Sequence, residues 1–155
     1  MELIIETTFA FLAAAGFSIL FQAPRSCVLS TGFVGTLGWI VFRLLSMLEV
    51  PHVLTVFFAS ITVATACEIM ARRHKVPVTV FAISGIVPLV PGSLAYSTMY
   101  SLAEGDYFRG LELGTKTFLA AGAIAAGLVF VGSLVRAIKY RGEKHGAKSV
   151  IHHQK

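Results

Sequence analysis

The sequence predicts an all-α integral membrane protein, and three observations carry that prediction. Apolar residues fill 55% of the 155 positions and charged residues 14%, against about 25% charged in an ordinary soluble domain. The apolar residues fall into five runs of about 20, the length that crosses a ~30 Å hydrocarbon core at a rise of ~1.5 Å per residue. The runs are continuous rather than alternating, so their backbone groups must be satisfied inside helices and not between the strands of a barrel. A water-soluble globular enzyme is excluded. The net charge of +5 lacks the basic stripe with interleaved aromatics that nucleic acid would require. It is read instead against a bilayer.

The first span, Leu3–Phe21, carries Glu6 and has no basic segment ahead of it, so it reads as a true span rather than a signal peptide. The second, Val28–Leu48, has Gly32, Gly35 and Gly38 at every third position and Arg43 two thirds of the way along. His52–Met70 and Val76–Ala95 follow, and Thr117–Ile138 closes the set with Gly122, Ala126 and Gly127. Small residues let helix backbones approach in lipid, where apolar burial no longer drives association, so ordinary packing is the role expected of them. Residues 1–139 then form one five-helix domain, and 140–155 a basic cytoplasmic tail suited to anionic headgroups. Cys27 and Cys67 have neither disulfide nor metal spacing and are expected to be buried and reduced.

The loops carry an orientation. Arg25 follows the first span, Arg72, Arg73 and Lys75 the third, and Arg136, Lys139, Arg141, Lys144, Lys148 and Lys155 end or follow the fifth, ten of the 13 basic residues. Glu2, Glu6, Glu49, Glu104, Asp106 and Glu112 lie toward the other side, facing Arg109 and Lys116. The positive-inside rule therefore places the N-terminus outside and the C-terminus in the cytoplasm, which five spans satisfy.

The fourth span is broken. Ser84-Gly85-Ile86-Val87-Pro88-Leu89-Val90-Pro91-Gly92-Ser93 puts two prolines and two glycines into its second half. Pro88 and Pro91 have no N–H for the carbonyls of Ser84 and Val87, and their rings clash with the preceding turn. Irregular backbone at membrane depth is tolerated where it is enclosed in protein or lines a wet cavity, and broken helices often form transporter sites. If a helix restarts at Gly92, then Ser93, Tyr96, Ser97, Tyr100, Ser101 and Glu104 share one face. Its first N–H groups, around Ser93 and Leu94, would suit a carboxylate, and the freed carbonyls of Ser84 and Val87 an ammonium group. Two bland accounts compete: a Pro-kinked packing helix, and Tyr96 and Tyr100 as interfacial belt residues.

Two ionisable sites stand inside the spans. Arg43 in lipid would cost ~2.5–3.5 kcal/mol on insertion scales, so it either clamps a substrate carboxylate or reaches the outer headgroups or Glu49. Glu68 and Arg72 are i,i+4 partners at the inner end of the third span, forming a helical ion pair or a coupling carboxylate. Glu112 and Lys116 share that spacing and read as structural; His52 and His74 are assigned to loops. No histidine has zinc-ligand company, and nucleophile-elbow, metal-hydrolase and phosphate-loop motifs are missing. No cofactor or metal is expected.

The chain resembles the threonine/serine exporter family, specifically its small membrane subunit. The resemblance rests on Pro24-Arg25, on Gly35 and Gly38 followed by Arg43, on Glu68 with Ala71-Arg72-Arg73, on Val76-Pro77, and above all on Gly85-Ile86-Val87-Pro88-Leu89-Val90-Pro91-Gly92-Ser93-Leu94-Ala95-Tyr96. It covers Ala23 to Arg136. It implies a bacterial inner-membrane exporter of threonine and serine, with C4-dicarboxylates such as succinate as the alternative substrate. It also implies a larger partner subunit, because the chain looks like the C-terminal five-helix half of ten-helix relatives. The residues assigned to substrate are Ser84, Pro88, Pro91, Gly92, Ser93, Tyr96, Ser97, Tyr100 and Arg43, with Glu68 and Arg72 as coupling group or ion pair. A non-transporting scaffold subunit is the competing reading.

Overall fold

In the computed structural model, which describes the backbone of residues 1–152 and the side chains of residues 1–139, the chain is helical and has no strand among the described residues. Helices α1 (Glu2–Leu20), α2 (Arg25–Met47) and α3 (His52–His74) are followed by a short α4 (Thr79–Gly85) and a 3₁₀ turn, Val87–Leu89. Then come α5 (Gly92–Ala103) and the long α6 (Tyr107–His152). Helices α1, α2, α3 and α6 are each long and apolar enough to cross a membrane, and the pair Thr79–Leu89 and Gly92–Ala103, bent by 56°, makes a fifth pass if counted as one broken span. The assignment of 140–155 to a headgroup-bound tail lies outside the residues whose side chains are described.

The first three helix ends share one construction. Gln22, Glu49 and Lys75 each adopt a left-handed conformation (φ 57°, 56° and 56°). The next residue sends its N–H back five positions, Ala23 to Ser18, Val50 to Leu45 and Val76 to Ala71, at 3.0, 3.2 and 3.1 Å. A proline follows each time: Pro24, Pro51, Pro77. This is the Schellman closure, in which a left-handed residue satisfies the last carbonyls and proline forbids continuation. It turns the chain sharply three times, so α1, α2 and α3 stack antiparallel.

Helix α3 is the central element, packing on α2, α4 and α6. The core gathers Val56, Ala59, Val63 and Cys67 of α3 with Cys27 and Val34 of α2, Phe81, Leu89 and, from α6, Ala123 and Ile124. Both cysteines are buried and free. The small residues are where backbones meet. A Cβ on Gly127 would strike Ser60, and Ser60 Oγ reaches the Ala123 carbonyl at 3.5 Å, so α3 and α6 touch closely there. Gly35 faces Ala14, the Gly85 carbonyl and Pro88, and Gly38 faces Val63 and Leu89. Only a missing side chain on α2 lets the broken segment lie against it.

These contacts set the register. Level with Ser60 lie Ala123 and Gly127, so the length of α3 runs parallel to residues 117–138 of α6, the range read from sequence as the fifth span. Helix α6 nevertheless starts at Tyr107, about 15 Å earlier at ~1.5 Å per residue. The reason is local. Gly105 (φ 85°) ends α5, and the Asp106 carboxylate accepts the Arg109 N–H at 3.1 Å, an N-cap that opens the new helix at once. The extra turns pair with α5, through Leu102 on Gly110 and Thr98 with Thr117 (3.4 Å). The hairpin of α5 and early α6 therefore projects past the α2–α3 turn, while Arg25, Arg72, Arg73, Lys75 and Lys139 gather at the opposite end of the bundle.

Candidate functional site

The break has a definite shape. Val90, held before Pro91, is extended (φ −62°, ψ 129°), the conformation that proline favours in the residue before it. Leu89 N–H donates to the Ile86 carbonyl (2.9 Å) and Val90 N–H to that of Val87 (3.2 Å). The Val87 carbonyl, expected to be free for an ammonium group, is thus already an acceptor. Helix α5 does restart at Gly92. Gly92 N–H reaches Val90 O (2.7 Å) and Ala95 N–H reaches Pro91 O (3.0 Å). Between them, the N–H groups of Ser93 and Leu94 have no backbone or side-chain acceptor among the described residues, as expected of a first turn.

The bend opens a cavity of ≈ 610 Å³. Its lining comes from four places: Trp39 and Phe42 of α2, His52, Val53 and Val56 of α3, the broken segment from Pro88 through Pro91 with Ser93 and Leu94, and Lys116 and Leu119 of α6. Val56, Leu89 and Leu119 give the lining its apolar character, whereas His52, Ser93, Lys116 and the unpartnered indole N–H of Trp39 supply polar groups. The volume falls in the range of small-ligand sites, and an apolar pocket with a few convergent polar groups is their usual makeup.

The sequence-assigned residues divide. Pro88, Pro91 and Ser93 line the cavity. Ser97, Tyr100, Ser101 and Glu104 line a separate hollow of ≈ 130 Å³ with Asp106 and Arg109. Tyr96 is exposed and stacks on Tyr100, ring centroids 6.2 Å apart. The single stripe is split because α5 packs its later half on α6, burying Ser101. Gly92 has open space around it, and a Cβ placed there would meet nothing within 4 Å. Ser84 is buried away from the cavity, its hydroxyl without a partner, beside a small hollow under the α1–α2 turn.

Arg43 is not in the cavity lining either. Its Nε lies 3.0 Å from Glu6 Oε2 of α1, so the carboxylate it meets is that of Glu6 rather than Glu49. Both atoms are shielded, and the approach is too poorly aligned to count as a hydrogen bond. It is a charge contact between α1 and α2. Glu6 lines a groove with Ala10, Ala13, Trp39 and Pro88, so Trp39 and Pro88 form the wall between this ion pair and the cavity. Glu68 and Arg72 lie 3.9 Å apart, with Arg72 largely exposed, about 18 Å along α3 from Val56 at ~1.5 Å per residue. The geometry there is a loose helical pair.

Two polar groups at the cavity have other roles in the sequence reading. His52 is the first residue of α3 rather than part of a loop, and Lys116 combines its Glu112 contact (2.6 Å) with a place in the lining. His74 also belongs to α3, and its ring meets Ser30 Oγ of α2 at 3.0 Å, tying the basic end together. The i,i+4 spacing of Glu112 and Lys116 is visible in sequence; that α6 turns Lys116 toward the break is not.

Comparison with known proteins bears on this arrangement. The family model described as Threonine/Serine exporter, ThrE matches residues 6–134. An uncharacterized protein of Haemophilus influenzae is 25% identical over 142 residues, covering 86% of this chain and 48% of that protein. A threonine/serine exporter of Corynebacterium glutamicum is 27% identical over 128 residues, covering 83% of this chain and 26% of that protein. The chain thus spans about half and about a quarter of these relatives' lengths. No solved structure matches. The family match runs from the Glu6 that pairs with Arg43, through the broken segment, to the end of the α3–α6 contact, so the whole helical framework around the cavity is the shared part: the chain belongs to the threonine/serine exporter family.

Proposed function

We propose that this chain is the membrane subunit of a secondary transporter that exports a small amino acid of the threonine or serine type, working with a larger partner subunit of the same family. The observation that carries the reading is the cavity at the break: a helix interrupted at Pro88 and Pro91 faces a ≈ 610 Å³ space with Ser93, His52 and Lys116 on its border. The N–H groups of Ser93 and Leu94 are donors for a solute carboxylate. Export, not chemistry, fits the family. Support for the partner comes from the relatives, of which the chain spans about half and about a quarter. The site lies in the bacterial inner membrane with the N-terminus outside, supported by the basic residues gathered at the opposite end of the bundle.

A dicarboxylate such as succinate is favoured by one observation. His52 and Lys116 can both carry positive charge, and no carboxylate lines the cavity among the described residues. The deciding experiment is efflux of labelled threonine, serine and succinate from preloaded cells bearing this chain, a larger family subunit, or both. Efflux of threonine or serine only with both chains is expected. Succinate efflux alone selects the dicarboxylate, and no efflux from cells that hold a stable complex replaces the transporter with a scaffold.

A further inference from the structure

Lys116 stands between two hollows. On one side is the cavity; on the other, a surface hollow of ≈ 410 Å³ lined by Phe108, Leu111, Glu112, Thr115 and Lys116 itself. Its ammonium group contacts Glu112 Oε1 at 2.6 Å on the outer side. Both side chains are more than half exposed, at 56% for Lys116 and 64% for Glu112, so packing locks neither. A lysine carries a point charge on a flexible four-carbon stem, which permits it to change partner without moving the helix. An exposed i,i+4 pair holds only weakly, so a better-placed carboxylate readily displaces Glu112.

We propose that Lys116 is the carboxylate-binding residue of the cavity and that Glu112 is its placeholder: the solute carboxylate takes the ammonium group from Glu112 and draws it inward. This rests on the cavity's being the transport site and adds the group that selects for an acid. The placeholder keeps the cation neutralised while the cavity is empty. It also sets selectivity, because a solute without a carboxylate cannot compete for Lys116.

Trp39 lines the cavity and is the one tryptophan of the chain, so its fluorescence reports occupancy directly. The purified full chain in nanodiscs is titrated with L-threonine, L-serine, succinate and the methyl esters of the two amino acids. The acids are expected to shift Trp39 emission at concentrations about tenfold lower than the esters, the scale of one charge-assisted hydrogen bond. Lys116→Ala should weaken acid binding about tenfold and erase the preference over esters. Lys116→Arg should keep the preference, and Glu112→Gln should tighten acid binding about threefold by freeing the cation. If acids bind but Lys116→Ala, with unchanged helical circular dichroism, still prefers them to esters, the Lys116 assignment falls while the cavity stands. If no solute moves Trp39 emission, either in this chain alone or with a larger family subunit in the same nanodisc, the cavity itself is not the transport site and both fall.

Discussion

The two halves of the broken segment are built differently. Helix α4 and the 3₁₀ turn sit among α1, α2 and α3, with Phe81, Ser84, Gly85 and Leu89 buried. Helix α5, three residues later, packs on α6, buries only Ser101 among its described side chains, and leaves Tyr96, Met99 and Tyr100 exposed. The two prolines therefore do more than kink a helix. They hand the chain from an anchored half to a projecting one, and the cavity lies where the hand-over occurs. An anchored wall and a less constrained wall around one space are what a gated path requires.

The largest expected effect comes from the anchored half. Gly35→Val would drive a branched side chain into Ala14, the Gly85 carbonyl and Pro88, and overpacking of this kind costs about 1–3 kcal/mol. The thermal unfolding midpoint in detergent should fall clearly. Gly92→Ala, across the break, has open space around the new Cβ and should leave that midpoint within about 0.5 kcal/mol. Equal losses at the two glycines would show that α5 is held as firmly as α4.

That contrast marks what sequence can and cannot convey. Continuous apolar runs and the Pro-Gly density of 85–92 make the spans and the break legible, because length and missing donors are local properties. The Gly105-Asp106 turn is also local, and its capping chemistry accounts for the early start of α6. Glu6 and Arg43 are different: they lie 37 residues apart on separate helices, and nothing in either helix's pattern selects the other. Lys116 escapes for the same reason. Its spacing to Glu112 is satisfied within α6, which hides that another side of the same residue borders the break. The polar stripe of α5 is legible as periodicity, but only packing on α6 decides which part of it meets the cavity.

A second test acts on the hand-over itself. Pro91→Ala removes the restriction that keeps Val90 extended and restores a backbone donor, so the chain can wind on and draw Ser93 and Leu94 out of the lining. Efflux should drop about tenfold, with the unfolding midpoint little changed. Undiminished efflux would mean that the cavity's shape does not depend on the proline.

A smaller effect is expected behind the Trp39–Pro88 wall. Arg43→Gln leaves Glu6 without its partner in a shielded groove, and losing one member of a partly buried pair is expected to cost about 1–2 kcal/mol, below the 3–5 kcal/mol of full burial. The double variant Glu6→Gln/Arg43→Gln should recover part of that loss, and a double-mutant cycle on unfolding free energies measures the coupling. Additive losses would show that the 3.0 Å contact contributes no stability, leaving Arg43 free for a role toward solute.

The smallest effect should be confined to the projecting half. Gly105 turns the hairpin at φ 85°, a conformation that costs an L-residue about 1 kcal/mol or more. Gly105→Ala should therefore loosen the hairpin without touching the bundle. Nothing lies within 4 Å of the added Cβ, so strain alone is introduced, and about 1 kcal/mol corresponds to roughly fivefold faster opening. Amide hydrogen exchange is expected to rise by that factor in residues 96–112 and to stay unchanged in α2 and α3. The confinement is the informative part. If exchange rises throughout, the hairpin and bundle open as one cooperative unit, and the difference between the two halves of the broken segment is one of exposure rather than of stability.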